Sequence, residues 1–128
     1  MRLWLVDPRI MCRQHLLGEH VECHAFVGTI NKGVRVKGYL RDNLLQINML
    51  AIRHEELAEE MKSRGYNHKS PLPELQIRYN DPTEIDRKRS LEELLRRCPR
   101  CRERYENANE NEKQEGSEES TVTEANGF

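Results

Sequence analysis

The sequence predicts an all-α protein, a compact single domain of three main helices with a disordered acidic C-terminal tail. Three observations predict this class. Apolar residues recur at helical spacing in three segments, helix start or stop signals flank these segments, and residues 107–128 have no apolar period. A chain of 128 residues is long enough for one such domain.

Charge divides the chain at about residue 106. Residues 1–106 carry a net charge of +4, and residues 107–128 carry a net charge of −5. The acidic segment cannot bury enough apolar surface to offset the entropy of ordering it. We therefore predict a helical domain at 1–106 and a disordered tail at 107–128. The basic body permits an anionic partner such as DNA without requiring one.

Hydropathy excludes two classes of protein. No segment approaches the 18 consecutive apolar residues of a membrane-spanning helix, and Asp7-Pro8 interrupts the N-terminal apolar run too early for a secretory signal. We therefore expect a soluble protein of the cytoplasm. In that reducing compartment the four cysteines are expected as free thiols or metal ligands rather than disulfides.

The first half of the chain predicts an arm and two helices. The apolar run Leu3-Trp4-Leu5-Val6 is compatible with a short strand or with an arm laid against the core. A long helix is predicted from about Pro8 to Ile30, ending near Asn31-Lys32-Gly33. Residues 34–46 are predicted as a loop with at most one short turn. A second helix is predicted at roughly 48–64, with Asn48 as its cap and Gly65 just past its end.

The remaining segment predicts a connector and a third helix. Residues 66–79 contain Ser70-Pro71-Leu72-Pro73, which favours extended backbone. Asp81-Pro82-Thr83-Glu84 has the residues of a helix start: a capping acid, a proline at the first position and an acid three residues after the cap. Pro99 should end this helix at or before Cys98, although a kinked continuation through Tyr105 stays open.

The first predicted helix carries a group of polar residues on one side. At 100° per residue, positions 15, 18, 19 and 22 share a face, so His15 and Glu22 stand two turns apart with Gly18 between them. On such a face Gly18 could form the base of a binding site, with the titratable side chains of His15 and Glu22 at its two sides. A solvated helix surface with an incidental glycine explains the same pattern, and composition alone favours that explanation.

A family resemblance favours the functional interpretation. Met1-Arg2-Leu3, Gln14-His15-Leu16 and Glu22 occur in the order and spacing of a known family, and the second helix adds two runs to the match: Leu50-Ala51-Ile52-Arg53-His54-Glu55-Glu56-Leu57 and Lys62-Ser63-Arg64-Gly65-Tyr66-Asn67. Together these motifs resemble the pyrimidine-dimer DNA glycosylases, the phage repair endonuclease and its bacterial relatives. This resemblance implies a compact domain of three main helices with the N-terminal arm packed between them. The resemblance extends from Met1 to about Leu75.

The resemblance implies an activity and a set of site residues. In that family the α-amine of the first residue attacks the sugar C1′ of a damaged nucleotide, expels the base and leaves a Schiff base that undergoes β-elimination. Arg2 follows Met1, and so bulky a second residue is expected to prevent removal of the initiator. The ungapped register then places the catalytic amine on Met1 and the catalytic glutamate on Glu22. Arg2, His15 and Gln14 are implied to contact DNA.

Simple chemistry supports an α-amine as nucleophile. Its reference pKa is about 7.7–8.0, against about 10.4 for lysine, so roughly a quarter of α-amines are neutral at about pH 7.4. A nearby glutamate can transfer protons and balance positive charge on the sugar or imine.

Some expected DNA contacts are absent from the sequence. Where the resemblance implies two arginines flanking the catalytic glutamate, this chain has Val21 and Ala25. We therefore expect retained chemistry with altered lesion recognition, on a pyrimidine dimer or a related lesion. Substitute phosphate contacts could come from several basic residues, although each is also explained as a solvated charge: Arg9, Arg13, Lys32, Arg35, Lys37 and Arg41.

The cysteines raise a separate question. Cys98-Pro99-Arg100-Cys101 has the C-x₂-C spacing of a zinc knuckle, which is a weak signal when it occurs once. Cys12 and Cys23 cannot both complete the site, because eleven residues of helix separate them by about 16 Å. His20 and His24 are candidates for the missing ligands. Free thiols explain the pair more simply, so we predict no metal and no cofactor.

The sequence thus predicts a monomeric DNA repair glycosylase with associated AP lyase activity, acting on double-stranded DNA that contains a damaged base. Two rival hypotheses stay open. One is a non-catalytic nucleic-acid-binding or interaction module on the same scaffold, stabilised by zinc at Cys98 and Cys101. The other is a lyase that uses the same amine on abasic sites or another base lesion.

Overall fold

The computed structural model describes residues 1–68, 70–76 and 81–122, with side chains as far as Glu110. Helices are the only regular structure in these ranges, so the predicted all-α class is confirmed. None of the helices combines the length and apolar character needed to cross a bilayer. The five helices are α1 (Arg13–Asn31), α2 (Lys37–Arg41), α3 (Leu50–Ser63), α4 (Arg87–Arg97) and α5 (Pro99–Val122).

The N-terminal run is an arm that packs inside the domain. All four residues from Leu3 to Val6 are at least 94% buried, and the Leu3 N–H donates to the Leu44 carbonyl at 2.8 Å. Leu5 has a φ of 52°, an uncommon conformation for a residue with a branched side chain. The arm therefore belongs to the hydrophobic core, and of the two sequence interpretations the arm is correct.

Helix α1 begins five residues later than predicted. Pro8–Ile10 forms a separate 3₁₀ turn, capped by the Asp7 carboxylate, which accepts from the Arg9 N–H at 3.0 Å. Met11 is then extended and interrupts the helix before Arg13. The predicted end is confirmed, since Gly33 has a φ of 77° directly after the last turn.

Helix α3 packs against α1 and forms with it the main helix pair of the core. Its predicted end at Gly65 is confirmed by a φ of 82°. Asn48 does not cap it, because its side chain accepts from Gln46 Nε2 at 3.1 Å within a preceding 3₁₀ turn, Ile47–Met49. Helix α2 is the one short turn expected in residues 34–46. The predicted connector contains no helix at 66–68 and 70–76, and its other residues lie outside the described ranges.

Helix α4 begins at Arg87 rather than at the predicted Pro82. Asp81 accepts from the Thr83 N–H in a local turn, and Asp86 is the cap, accepting from the Arg89 N–H at 3.1 Å. Contacts with residues distant in the sequence explain why α4 begins later than predicted. The Ile85 N–H donates to Gln46 Oε1 at 3.0 Å and the Asp86 N–H to Asn43 Oδ1 at 2.7 Å, so distant side chains replace the first helical hydrogen bonds.

Helix α5 starts directly after α4. As predicted, Pro99 limits α4, which ends at Arg97, but Pro99 then opens a new helix. Helical backbone continues through the predicted boundary at residue 106 as far as Val122, and the disorder of residues 107–128 stays a prediction. The described apolar residues that fasten α5 to the core lie in its first three turns: Cys101, Tyr105 and Ala108.

Candidate active site

The buried arm brings the first residue of the chain to the surface beside the middle of α1. Leu3 is fully buried, whereas Met1 is 44% exposed. The α-amine therefore stands at the end of a fixed segment and remains accessible to a macromolecular substrate.

The Glu22 carboxylate lies against the first peptide group. Glu22 is half-buried on α1, and its Oε1 accepts from the Arg2 N–H at 2.7 Å. Three covalent bonds separate that nitrogen from the α-amine, so the amine lies no more than about 7 Å from Oε1. The structure thus brings together Met1 and Glu22, the two residues predicted to be catalytic.

Glu19, one turn before Glu22, is engaged in a buried ion pair. Arg53 Nε donates to Glu19 Oε2 at 2.7 Å and Arg53 Nη2 donates to Oε1 at 2.9 Å. The Leu5 N–H also approaches Glu19 Oε2, at 3.4 Å. The two side chains are 0% and 1% exposed, and although burial opposes it, the Glu19 carboxylate raises the pKa of Arg53. Glu19 therefore fixes the arm, while Glu22 faces the open side of the site.

Arg2 is held by an aromatic ring and a hydroxyl group. Its guanidinium lies 3.8 Å from the centre of the Trp4 ring, and its Nη2 donates to Ser90 Oγ at 2.9 Å. The Ser90 hydroxyl in turn donates to the Trp4 carbonyl. Burial and the nearby Arg97 lower the pKa of Arg2. Its Nε is buried and has no hydrogen-bond partner among the described residues.

Gly18 leaves open space between His15 and Glu22. A Cβ built on Gly18 would have no atom within 4 Å, other than those of its own helix and chain neighbours. Because Gly18 has no side chain, nothing fills the surface of α1 between His15 and Glu22. The open helix surface expected from the sequence is therefore present.

His15 points to a group of cysteines. Its Nδ1 lies 3.3 Å from Cys12 Sγ and 3.8 Å from Cys101 Sγ, and its ring meets the Trp4 ring edge-on at 5.8 Å. Burial lowers its pKa. Only its Nε2 is left to contact DNA, so the predicted DNA contact at His15 competes with a second set of partners.

The other predicted DNA-binding residues do not gather at this site. Arg9 is ion-paired with Asp7 at 2.8 Å, and Arg13 stacks near Tyr66 at 5.2 Å. Arg13 lies about 180° around α1 from Glu22, and Gln14 about 80°. Lys32 and Arg35 are exposed beyond the far end of α1. Contact of these five residues with DNA stays a prediction.

The sequence did not predict that two side chains of α4, Ser90 and Arg97, lie at the site. Ser90 holds Arg2, and the Arg97 guanidinium lies 5.9 Å from the Trp4 ring centre, on the ring that Arg2 also contacts. Arg97 lowers the pKa of both Arg2 and His15. A cleft of about 380 Å³ runs from Arg2 along α4 between Arg89, Arg96 and Arg97, with four carboxylates among them: Asp42, Asp86, Glu92 and Glu93. No sequence motif indicated that α4 returns to the N-terminus.

The metal ligands suggested by the sequence were partly wrong. His20 and His24 do not join Cys98 and Cys101. They belong to a separate group of rings with His54 and His68, in which His20 Nε2 lies 2.8 Å from His68 Nε2. The residues beside Cys98 and Cys101 are Cys12 and His15. The signal that could have found them is Cys12-Arg13-Gln14-His15, a C-x₂-H spacing.

Comparison with known families identifies the family of this chain. Residues 1–74, more than half of the 128-residue chain, match the family model described as pyrimidine dimer DNA glycosylase. No curated protein and no solved structure matches the chain. The match covers the arm, α1 and α3 and ends where the resemblance in the sequence ends, at about Leu75. The chain therefore belongs to the pyrimidine dimer DNA glycosylase family.

Proposed function

We propose that this protein is a DNA glycosylase and AP lyase that uses the α-amine of Met1 as its nucleophile and Glu22 as its acid/base residue. The observation that carries the proposal is the 2.7 Å hydrogen bond from the Arg2 N–H to Glu22 Oε1. It fixes a carboxylate one residue away from an exposed α-amine.

The reaction proceeds in three steps. The neutral amine forms a bond to C1′ while the C1′–base bond breaks, and the bonding electron pair leaves with the base, which takes up a proton. The amine then loses a proton, and opening of the C1′–O4′ bond, with protonation of O4′, gives the Schiff base. Removal of a C2′ proton expels the 3′ phosphate. In this proposal Glu22, whose carboxylate lies no more than about 7 Å from the amine, receives and returns these protons and balances the iminium charge.

The surroundings of the amine suit a DNA strand. Arg2 and Arg97 place two guanidinium groups on the same aromatic ring, and open space lies over Gly18. Phosphates can therefore be bound beside the amine while the damaged nucleotide lies above the helix.

A second candidate substrate is an abasic site. Val21, where the resemblance implies a phosphate-binding arginine, is 62% exposed and offers no charge to a distorted duplex. The sugar chemistry needs only the amine and Glu22, so a lyase with altered lesion recognition fits the same geometry.

Cleavage of defined duplexes tests the proposal. The substrates are one duplex with a single pyrimidine dimer, one with a single abasic site and one undamaged. We expect the wild-type protein to cleave a damaged duplex and Glu22→Gln to be slower by at least about 100-fold, because an amide still accepts from the Arg2 N–H but cannot take a proton. Glu59→Gln, on the exposed side of α3, is the matched control.

The outcomes separate the hypotheses. Cleavage of the dimer duplex assigns the lesion, and cleavage of the abasic duplex alone assigns the lyase. Binding of DNA with neither cleavage nor borohydride trapping would support the non-catalytic module and refute the proposal.

A further inference from the structure

Four potential metal ligands converge where α1 and α5 begin. They are Cys12, His15, Cys98 and Cys101, and their ligand atoms all lie within 4.8 Å of one another. Each of the three cysteines is at least 93% buried, and none is in a disulfide. Three buried thiols and an imidazole nitrogen form the Cys₃His set of structural zinc sites.

The spacing between these atoms fits one tetrahedral ion. Zn–S bonds of about 2.3 Å and Zn–N bonds of about 2.0–2.1 Å require S···S separations of about 3.8 Å and S···N separations of about 3.5 Å. Cys12 Sγ lies 3.8 Å from Cys98 Sγ. His15 Nδ1 lies 3.3 Å from Cys12 Sγ and 3.8 Å from Cys101 Sγ. Small side-chain shifts would complete the tetrahedron.

Two short sequence units supply the four ligands in the same way. Cys12 caps α1 and His15 lies in its first turn, while Cys98 precedes α5 and Cys101 lies in its first turn. A C-x₂-H unit therefore faces a C-x₂-C unit, each at a helix N-terminus. Neither unit alone is specific, but their convergence across 86 residues of chain is independent evidence.

Backbone N–H groups already point at two of the sulfurs. The Cys12 N–H donates to Cys101 Sγ at 3.2 Å, and the Cys101 N–H donates to Cys98 Sγ at 3.4 Å. Such donors stabilise thiolates and orient them around a metal.

We propose that Cys12, His15, Cys98 and Cys101 bind one structural zinc ion that joins the start of α1 to the start of α5. Four protein ligands leave no open position for a substrate or water, so the role is structural. The ion would fasten α4 and α5, which lie outside the family match, to the helix that carries Glu22. It would thereby hold Arg97 beside the Trp4 ring and hold His15 away from DNA.

The histidine group is a poorer zinc site. His20 Nε2 and His68 Nε2 are 2.8 Å apart, closer than the roughly 3.3 Å between two nitrogens on one zinc. His54 Nε2 is directed at the Ser70 carbonyl at 3.1 Å. We therefore expect zinc to bind to the cysteine cluster in preference to the histidine group.

Metal analysis of the full chain tests the proposal without DNA. We expect one zinc per protein in the wild type, less than a tenth of that in Cys98→Ala, and an unchanged amount in Cys23→Ala, the matched control for loss of a buried cysteine outside the cluster. Absence of zinc from the wild type, or loss of zinc from His20→Gln with retention in Cys98→Ala, would overturn the proposal.

A second measurement covers the case in which Cys98→Ala does not fold. The zinc of the wild-type protein is exchanged for cobalt, and the absorption spectrum is recorded. We expect tetrahedral ligand-field bands with thiolate charge-transfer bands, retained in His15→Cys and shifted in His15→Ala, which keeps only the three thiolates. An octahedral spectrum, or a Cys12–Cys98 disulfide in freshly purified protein, would overturn the proposal. Either failure leaves the proposed reaction of Met1 unaffected.

Discussion

The site is built from two regions of different character. The arm, α1 and α3 lie within residues 1–74, which match the family, and they supply Met1, Glu22 and the buried Glu19–Arg53 pair. Helices α4 and α5 follow that region and supply Ser90, Arg97 and two cysteines. The first region contains the groups proposed to carry out the chemistry, and the second contacts Arg2 through Ser90 and adds the guanidinium of Arg97.

The largest effect on stability is expected from the first region, at the buried ion pair. Glu19→Gln removes one charge of the pair and leaves the Arg53 guanidinium buried beside a neutral amide. We expect the free energy of unfolding to fall by about 3–5 kcal/mol, measured by urea denaturation. Arg96→Ala breaks a 2.7 Å ion pair on the exposed side of α4 and is the control, with no measurable change expected. Equal effects of the two substitutions would show that the arm is not held by Glu19.

A pH dependence should also originate in the first region. Burial, followed by the neighbouring imidazoles of His54, His68 and His24, lowers the pKa of His20 from 6.5 to about 4, and Glu55 opposes the shift. The folded state therefore resists protonation more than the unfolded state does. Stability should be complete above about pH 6.5 and fall progressively toward pH 4, with a slope approaching one proton.

Denaturation at several pH values measures this slope. His20→Gln removes the titrating group and should flatten the profile between pH 6.5 and 4. Superimposable profiles for the wild type and His20→Gln would assign the acid sensitivity to other groups.

A smaller effect is expected in the second region, at Arg97. Arg97→Ala removes one guanidinium from the Trp4 ring and should weaken DNA binding uniformly across sequences, reducing the salt dependence by about one counterion. The measurement is affinity at several salt concentrations. Lys62→Ala, at the end of α3, is the control. An unchanged salt slope for Arg97→Ala would confine DNA binding to the first region.

The smallest effect is expected from the end of α5. Deletion of residues 111–128 removes one lysine and five glutamates, a net charge of −4, and leaves the anchoring residues Cys101, Tyr105 and Ala108 in place. We expect an unchanged melting temperature and equal or tighter DNA binding at low salt. A large drop in melting temperature would show that this part of α5 is packed on the domain.

The same two regions differ in what the sequence could predict. The ends of α1 and α3 followed from Gly33 and Gly65, because a glycine with positive φ is a local signal. The start of α4 did not, because Gln46 and Asn43 bind the N–H groups of Ile85 and Asp86 from about 40 residues away. Long-range partners of this kind leave no local pattern.

The site residues of the two regions also differ in how far the sequence could predict them. Met1 and Glu22 were predicted because the order and spacing of motifs fixed their register, and the structure places them close together. Arg97 and Ser90 were missed because only the fold returns α4 to the arm. Cys12 was not predicted as a ligand of this site. Its spacing was compared with that of Cys23, 11 residues further along the chain, and not with that of His15 in the next turn.

The central claim is that the first atom of the chain is the nucleophile, and peptide mapping of a borohydride-trapped adduct tests it most directly. Full-length protein is incubated with a duplex containing an abasic site, reduced with borohydride and digested. The account predicts a cross-link on the Met1 α-amine, lost when that amine is acetylated or carries an uncleaved tag. The rate of trapping should rise near pH 7–8 rather than near 10. A cross-link on a lysine, or undiminished trapping by the tagged protein, would contradict the account.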